Sequence, residues 1–366
     1  MSKGKVKEAF PGGNTSLGFF SYYSYILDQE DAERIFVIKG GPGVGKSTFM
    51  KNIAKEMVER GYDVELMHCS SDNNSLDGVV IPAIGVALLD GTAPHVVDPK
   101  NPGAVDEIIH LGDYWNESGM RENKKSIMED NREVGRLFER AYRYIKAAAC
   151  VYEDTAVINS WAIDTGKVNV LTDSILSGLF KNTAIAGKEG KERKLFASAI
   201  TPDGLKNYLD IILASKRVYI IKGQQGTGTE KLLEKVKTTA LERGCCVESY
   251  YCALHPGKLE HLVIPCLGAA FTTANAYHNV KVDSCDMYDL DACLDKRVIS
   301  KYSDVIQYNK SEFEDLLYKA IETINRAKAI HDRMETYYIP NMDFEAVQIC
   351  WEATLAKILE YAASNK

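Results

Sequence analysis

Residues 40–47 read Gly-Gly-Pro-Gly-Val-Gly-Lys-Ser, a full G-x-x-x-x-G-K-[ST] pattern. The apolar run Ile35-Phe36-Val37-Ile38 precedes it, and a helix-patterned stretch from Ser47 to Arg60, stopped by Gly61, comes after it. In that strand–loop–helix setting the glycines let the backbone curl until successive N–H groups converge on phosphate oxygens. The helix adds its positive N-terminal end to the same pocket. Gly40, Gly41, Pro42, Gly43, Val44, Gly45, Lys46, Ser47 and Thr48 are therefore the expected nucleotide-binding segment, with Lys46 reaching the β- and γ-phosphates and Ser47 ligating Mg²⁺.

The chain repeats itself around this loop. Shifted by 183 residues, positions 35 to 95 match without a gap, and 19 of those 61 positions are identical, enough to expect two tandem domains. The matches include Gly43 with Gly226, Gly45 with Gly228, Glu59-Arg60-Gly61 with Glu242-Arg243-Gly244, and Val80-Ile81-Pro82 with Val263-Ile264-Pro265. Farther on, Ala156-Val157 and Trp161 recur with equal spacing as Ala346-Val347 and Trp351, which extends the expected duplication over most of each half. The domains are placed at residues 1–190 and 191–366.

The differences between the copies carry the chemistry. Thr229 answers Lys46, Glu230 answers Ser47, and Thr273 answers Asp90, the acidic residue closing the run Val86-Ala87-Leu88-Leu89. A carboxylate at that strand end holds the water ligands of Mg²⁺ in nucleotide-hydrolysing folds. Cation, hydroxyl and carboxylate change together, so Lys46, Ser47 and Asp90 are read as one metal–phosphate site, intact in the first half and lost in the second. Glu230 would repel a triphosphate.

These stretches resemble a bacterial family of duplicated P-loop ATPases. The residues that carry the likeness are Phe10-Pro11-Gly12-Gly13-Asn14-Thr15, the phosphate loop, His68-Cys69-Ser70-Ser71-Asp72, Asp90-Gly91-Thr92-Ala93-Pro94-His95, and Phe196-Ala197-Ser198-Ala199-Ile200-Thr201-Pro202. The resemblance spans essentially the whole chain and implies nucleotide binding, without implying a substrate. ATP is the expected nucleotide: Asn309-Lys310 continues Ser311-Glu312 and so does not complete the N-K-x-D pattern of guanine readers.

Composition narrows the partners. With 366 residues, 45% hydrophobic and 26% charged, the chain can bury two cores. A net charge of −7 argues against general attraction to nucleic acid or anionic membrane. No apolar run approaches the length of a membrane span and none comes after the basic first residues, so the expected location is the cytoplasm. Nine cysteines, an odd number with Cys245 and Cys246 adjacent, suggest neither a disulfide framework nor a zinc ribbon. Lys188 to Lys194 reads as a solvated linker.

Within each half, short apolar runs at Val64 to His68, Val79 to Ile81 and Val86 to Leu89 predict an α/β core with a parallel sheet. Helical spacing from Glu122 to about Ala162, repeated from Phe313 through Ala329 and beyond Pro340, predicts a helical hairpin appended to each core. That hairpin either covers a sheet and holds the halves together or closes as a lid. The segment after the second strand, His68 to Asp77, should face the ligand. Asp72 is its candidate general base, and a cap-and-turn role is the competing reading. His95 and His278 recur in both copies and read as scaffold, and no metal cluster is expected from the seven histidines.

Gly91 stands after Asp90 where many ATP-driven motors carry glutamate, which tilts the reading from a fast motor toward a slow hydrolase or a phosphotransferase. Three functions remain open. They are a Mg²⁺-dependent ATPase with a regulatory or structural second half, a small-molecule kinase, and a non-enzymatic nucleotide-sensing adaptor with a small-molecule or protein partner.

Overall fold

The computed structural model describes residues 2–92, 96–214, 217–278 and 285–364. His95, with Ala93 and Pro94 of the same motif, lies outside the described residues. The first half runs β1 (Val6–Ala9), β2 (Gly12–Thr15), β3 (Gly18–Ser21), β4 (Arg34–Lys39), α1 (Lys46–Glu59), β5 (Val64–His68), β6 (Leu76–Ile81), β7 (Val86–Asp90), β8 (Asp106–His110), α2 (Glu117–Glu122), α3 (Lys124–Ala162) and α4 (Thr165–Leu179). The second half repeats this order. It runs β9 (Glu192–Phe196), β10 (Ser198–Thr201), β11 (Gly204–Asn207), α5 (Leu209–Ile212), β12 (Arg217–Lys222), α6 (Thr229–Glu242), β13 (Val247–Tyr251), β14 (Leu259–Ile264), β15 (Ala269–Ala274), β16 (Cys285–Asp289), α7 (Lys296–Lys301), α8 (Ser303–Tyr338) and α9 (Phe344–Ser364).

Each half builds a six-stranded sheet, in the orders β1-β5-β6-β7-β4-β8 and β16-β12-β15-β14-β13-β9, which are the same order read from opposite edges. The expected parallel sheet is corrected: both sheets are mixed. β6 runs antiparallel to β5 and β7, and β14 runs antiparallel to β13 and β15. The cause is local. Only the 3-10 turn Pro82–Ile84 and Gly85 separate β6 from β7, and a reversal that short admits no crossover. The α/β class and the tandem layout agree with the sequence reading.

Strand β4 is buried on both faces, which is why it reads as an unbroken apolar run. Phe36 and Ile38 point to one core with Phe49, Met50, Ile53 and Met57 of α1, while Ile35 and Val37 point to another. That second core is shared, because Val37, Met67, Val80 and Leu89 of the first sheet meet Leu195, Tyr250, Val263 and Ala270 of the second. The two sheets thus pack face to face around a common layer.

The outer layers are exchanged. Val347, Ile358 and Ala362 of α9, from the second half, join the α1 core of the first sheet. Val168 and Ile175 of α4, from the first half, join Leu232, Leu233 and Val236 of α6 on the second sheet. The long helices α3 and α8 carry the chain across and pack along each other through Ala141, Ile145, Ala148, Phe313, Leu317, Ala320 and Ile324. The expected hairpin on each core is corrected: α3 packs along α8 of the other half and not against α4, because α4 and α9 are drawn off to cover the opposite sheets, and the α3–α8 pair fastens the halves together.

A pseudo-twofold axis relates the halves. Phe10 and Phe196, equivalent residues, exchange backbone hydrogen bonds of 2.9 Å each across it. Arg193 forms a bidentate pair with Glu65, at 2.9 and 2.5 Å, and the equivalent Lys7 pairs with Glu248. Arg193 lies inside Lys188 to Lys194, so that segment is corrected from solvated linker: its end is edge strand β9, anchored by a buried cross-half ion pair. From β8 onward the repeat offset is 179, as Asp106 and Cys285 open equivalent strands. Trp161 therefore ends α3 while Trp351 sits in α9, and their matched spacing in the sequence is a coincidence.

Candidate functional site

Strand β4 ends at Lys39, and residues 40–45 wrap into the start of α1. Gly45, the residue before α1, has φ 92° and ψ 9°, and no side chain caps the helix, so its first N–H groups stay available to an anion. Gly228, before α6, has φ 95° and ψ 9° and is equally uncapped. Gly43 and Gly226 correspond as well, at φ 68° and 83°, so the two loops turn alike where they enter their helices.

In the first loop the parallel pairing of β4 with β7 sets Ile38 beside Asp90. Asp90 Oδ2 is 3.7 Å from Lys46 Nζ, and both side chains are largely buried. Lys46 also donates to the carbonyls of Gly40 and Gly41, at 3.0 and 2.8 Å. Thr92 completes the frame: its N–H donates to Asp90 Oδ1 at 2.9 Å and its hydroxyl to the Gly40 carbonyl at 2.9 Å. Ser47 Oγ accepts from the Leu76 N–H at 3.0 Å, which fixes the hydroxyl while leaving its proton and a second lone pair. Lys46, Ser47 and Asp90 thus stand where three elements meet, β7, α1 and the loop between β4 and α1.

Asp72 is placed differently. Its oxygens accept from the Asn74 N–H at 3.1 Å and from Ser75 Oγ at 2.5 Å, with Lys328 of α8 3.6 Å away. Burial pulls its carboxyl upward, but Ser75, Asn74 and Lys328 outweigh it and hold the group below the usual carboxylate range. This is the geometry of a capped turn, tied to the other half by Lys328. Lys51 of α1 donates to the Asn74 carbonyl and joins the turn to the loop helix.

Sequence reasoning missed the roof of the loop. A Cβ added to Gly41 would lie 2.3 Å from the ring of Tyr338, and one on Gly43 would lie 3.2 Å from Glu335 Cβ and 3.0 Å from Ile339 Cγ1. All three residues belong to the second half. At the second loop the equivalent helix, α3, presses with its backbone: a Cβ on Gly226 would lie 2.1 Å from the Ala156 carbonyl oxygen. Asn159 adds a 2.8 Å hydrogen bond to the Gln225 carbonyl. Burial raises the Glu230 carboxyl above its ordinary value.

No protein-family profile matches the chain, and neither a curated protein nor a solved structure matches it. One further grouping departs from the sequence reading. Against the expectation of no metal cluster, the fold brings Glu260, His261 and His278 together in the second half.

Proposed function

We propose that the chain is a Mg²⁺-dependent, ATP-binding P-loop NTPase of the duplicated ATPase family, hydrolysing ATP in residues 1–190 and using residues 191–366 to brace and regulate that site. The observation that carries this reading is the paired difference between the loops. The helices α1 and α6 start from glycines of nearly equal φ and ψ, and among the described residues only the first copy sets a lysine of the helix start beside a strand-end carboxylate, at 3.7 Å. A cation beside a carboxylate at a helix N-terminus suits a phosphate chain on one side and a divalent ion on the other.

In this reading residues 40–48 hold the phosphates. Lys46 leaves the Gly40 and Gly41 carbonyls to meet the transferred phosphoryl group. Ser47 and Asp90 are the residues that would hold Mg²⁺, which when bound neutralises charge developing between the β- and γ-oxygens. Asp72, held below the usual carboxylate range, is a poor proton acceptor and serves as a positioning residue for the turn. Glu335 on α8 packs its Cα and Cβ over Gly43 from the other half and closes the loop from above.

A second reading, a small-molecule kinase, draws on three buried polar atoms without a hydrogen-bond partner: Ser70 Oγ, Ser71 Oγ and Asn73 Oδ1. They come after β5, where an acceptor would sit. Incubation of the purified chain with Mg-ATP and a metabolite extract separates the readings. Free phosphate alone supports the hydrolase, and a phosphorylated small molecule supports the kinase. Tight ATP binding without either product supports a nucleotide-sensing adaptor with a small-molecule or protein partner.

A further inference from the structure

Strand β14 places two donors side by side in the second half, Glu260 and His261, and the segment after β15 returns His278 to them. Glu260 and His278 line a narrow cavity of 60 Å³ shared with Tyr152, Ser198, Cys252 and Tyr277. Glu260 is 2% exposed, His261 0% and His278 9%. Buried polar atoms are ordinarily hydrogen-bonded, so each exception calls for an account. Here Glu260 Oε2, His261 Nε2 and His278 Nδ1 all lack a hydrogen-bond partner.

The three residues form one cluster, in which His278 turns Nε2 and not the orphan Nδ1 towards Glu260. A donor atom from each residue lies within 4.8 Å of the other two, and Glu260 Oε2 is 3.5 Å from His278 Nε2. Two ligands on a tetrahedral ion with bonds of about 2.1 Å stand about 3.4 Å apart. His261 Nδ1 is 2.8 Å from Thr272 Oγ1, whose own proton goes to the Thr273 carbonyl at 3.3 Å. The imidazole therefore donates through Nδ1 and keeps a lone pair on Nε2, the tautomer that a hydrogen-bond partner behind the ring fixes in metal-ligating histidines.

We infer that Glu260, His261 and His278 bind one transition-metal dication of the Zn²⁺ class, with the cavity at the remaining coordination position. Two imidazoles and one carboxylate suit Zn²⁺ or Co²⁺ and disfavour Mg²⁺, which prefers all-oxygen ligands. Of the surrounding groups, Lys258 Nζ lies 3.9 Å from the other Glu260 oxygen, Ser198 Oγ lies 3.3 Å from His278 Nε2, and Glu230 adds negative charge nearby. The positions equivalent to Glu260 and His261 in the first half are Asp77 and Gly78, so the first copy lacks one of the imidazoles. The half that lost the phosphate chemistry holds the complete ligand set.

Titration of ZnCl₂ into the chelator-treated full-length chain, followed by calorimetry and by elemental analysis after desalting, tests this. The expected result is one equivalent, not displaced by excess Mg²⁺. Co²⁺ in its place should give the intense visible bands of a four- or five-coordinate ion. His261→Asn or His278→Asn should weaken Zn²⁺ binding at least 100-fold, and Thr272→Val about tenfold through the tautomer. Circular dichroism of each variant separates lost binding from lost folding. If the wild-type chain takes up no stoichiometric Zn²⁺ or Co²⁺, the cluster is only a Glu260–His278 ion pair and the inference is overturned. Binding that survives the double histidine variant overturns it equally, since the metal would then sit elsewhere.

Discussion

The same helix end meets the two phosphate-loop copies in different ways. At the first loop, α8 offers Tyr338 and Glu335 and the turn after it offers Ile339; at the second, α3 offers its own backbone, with the Ala156 carbonyl pressed on Gly226 and Asn159 tied to Gln225. The Tyr338 ring and the Ile339 side chain can change rotamer when a ligand arrives, whereas Glu335 Cα and Cβ and the Ala156 carbonyl move only with their helices. The first loop is therefore roofed and the second is plugged. In the proposed reading, the missing counterparts of Lys46, Ser47 and Asp90 and the closure by backbone are two layers of one divergence, by which a phosphate loop would be disarmed by its neighbours as well as by its own sequence.

The largest expected effect breaks or keeps the asymmetry outright. Lys46→Ala should lower phosphate release by about 10²- to 10³-fold, the loss typical of one group aimed at developing charge. It should also reduce calorimetric ATP stoichiometry from one to none. Near-normal turnover in that variant would put the chemistry in the plugged loop and reverse the comparison.

Next come the two cross-half ion pairs, equivalent by the pseudo-twofold axis yet unequal in setting. Glu65 is 8% exposed and held by Arg193 on both oxygens, with Lys7 3.7 Å away, whereas Lys7 and Glu248 are more open. Glu65→Ala leaves the half-buried Arg193 with only the Tyr25 and Ile26 carbonyls and no carboxylate, and should cost about 2–3 kcal/mol in urea unfolding. Glu248→Ala should cost about 1 kcal/mol or less. Burial alone would raise the Glu65 carboxyl, but Arg193 and Lys7 overcome it and hold the group low. Its folded pKa lies below its unfolded one, so its stabilisation is complete above roughly pH 4.3 and is lost as pH falls through the folded value. Glu65→Gln should flatten that acid limb. An unchanged acid limb would show that the pair contributes nothing to stability.

A smaller effect is expected at Asp90. Asp90→Asn keeps the hydrogen bond from Thr92 N–H in shape but removes charge, so Mg²⁺-dependent ATP binding should weaken about tenfold, near 1.4 kcal/mol, while metal-free binding stays put. Equal losses with and without Mg²⁺ would mean that Asp90 serves the loop frame and not a metal.

The legibility of these features in the sequence depends on their range in the chain. The phosphate loop, the duplicated core and the Asp90 strand end are local patterns, readable because every residue involved lies within one strand–loop–helix unit or its repeat. Helix exchange is not local: α4 and α9 are each apolar on one side, and nothing in that pattern names which sheet the side will meet. The change of offset from 183 to 179 hid the equivalence of Asp130 with Asn309, which pair with Arg333 and Asp154 across α3 and α8. The orientation of β6 was hidden as well, since a strand buried on both faces reads alike in either direction. Glu260, His261 and His278 escaped notice because the sequence spacing shows no ligand motif, and only the sheet brings them together.

The smallest expected effect is also the sharpest test of the plug. Thr229→Lys with Glu230→Ser restores two of the three lost groups to a loop whose backbone already has the right trace, Gly228 matching Gly45 to within a few degrees. Were side chains alone responsible, a second Mg-ATP site of affinity near the first would result. The Ala156 carbonyl against Gly226 and Thr273 in place of Asp90 both remain, however, and neither moves with a rotamer. Calorimetry should therefore find a second site no tighter than about millimolar, near −4 kcal/mol. Tight binding at that site would show that α3 yields as readily as the side chains of α8 do, and the distinction between roof and plug would fall.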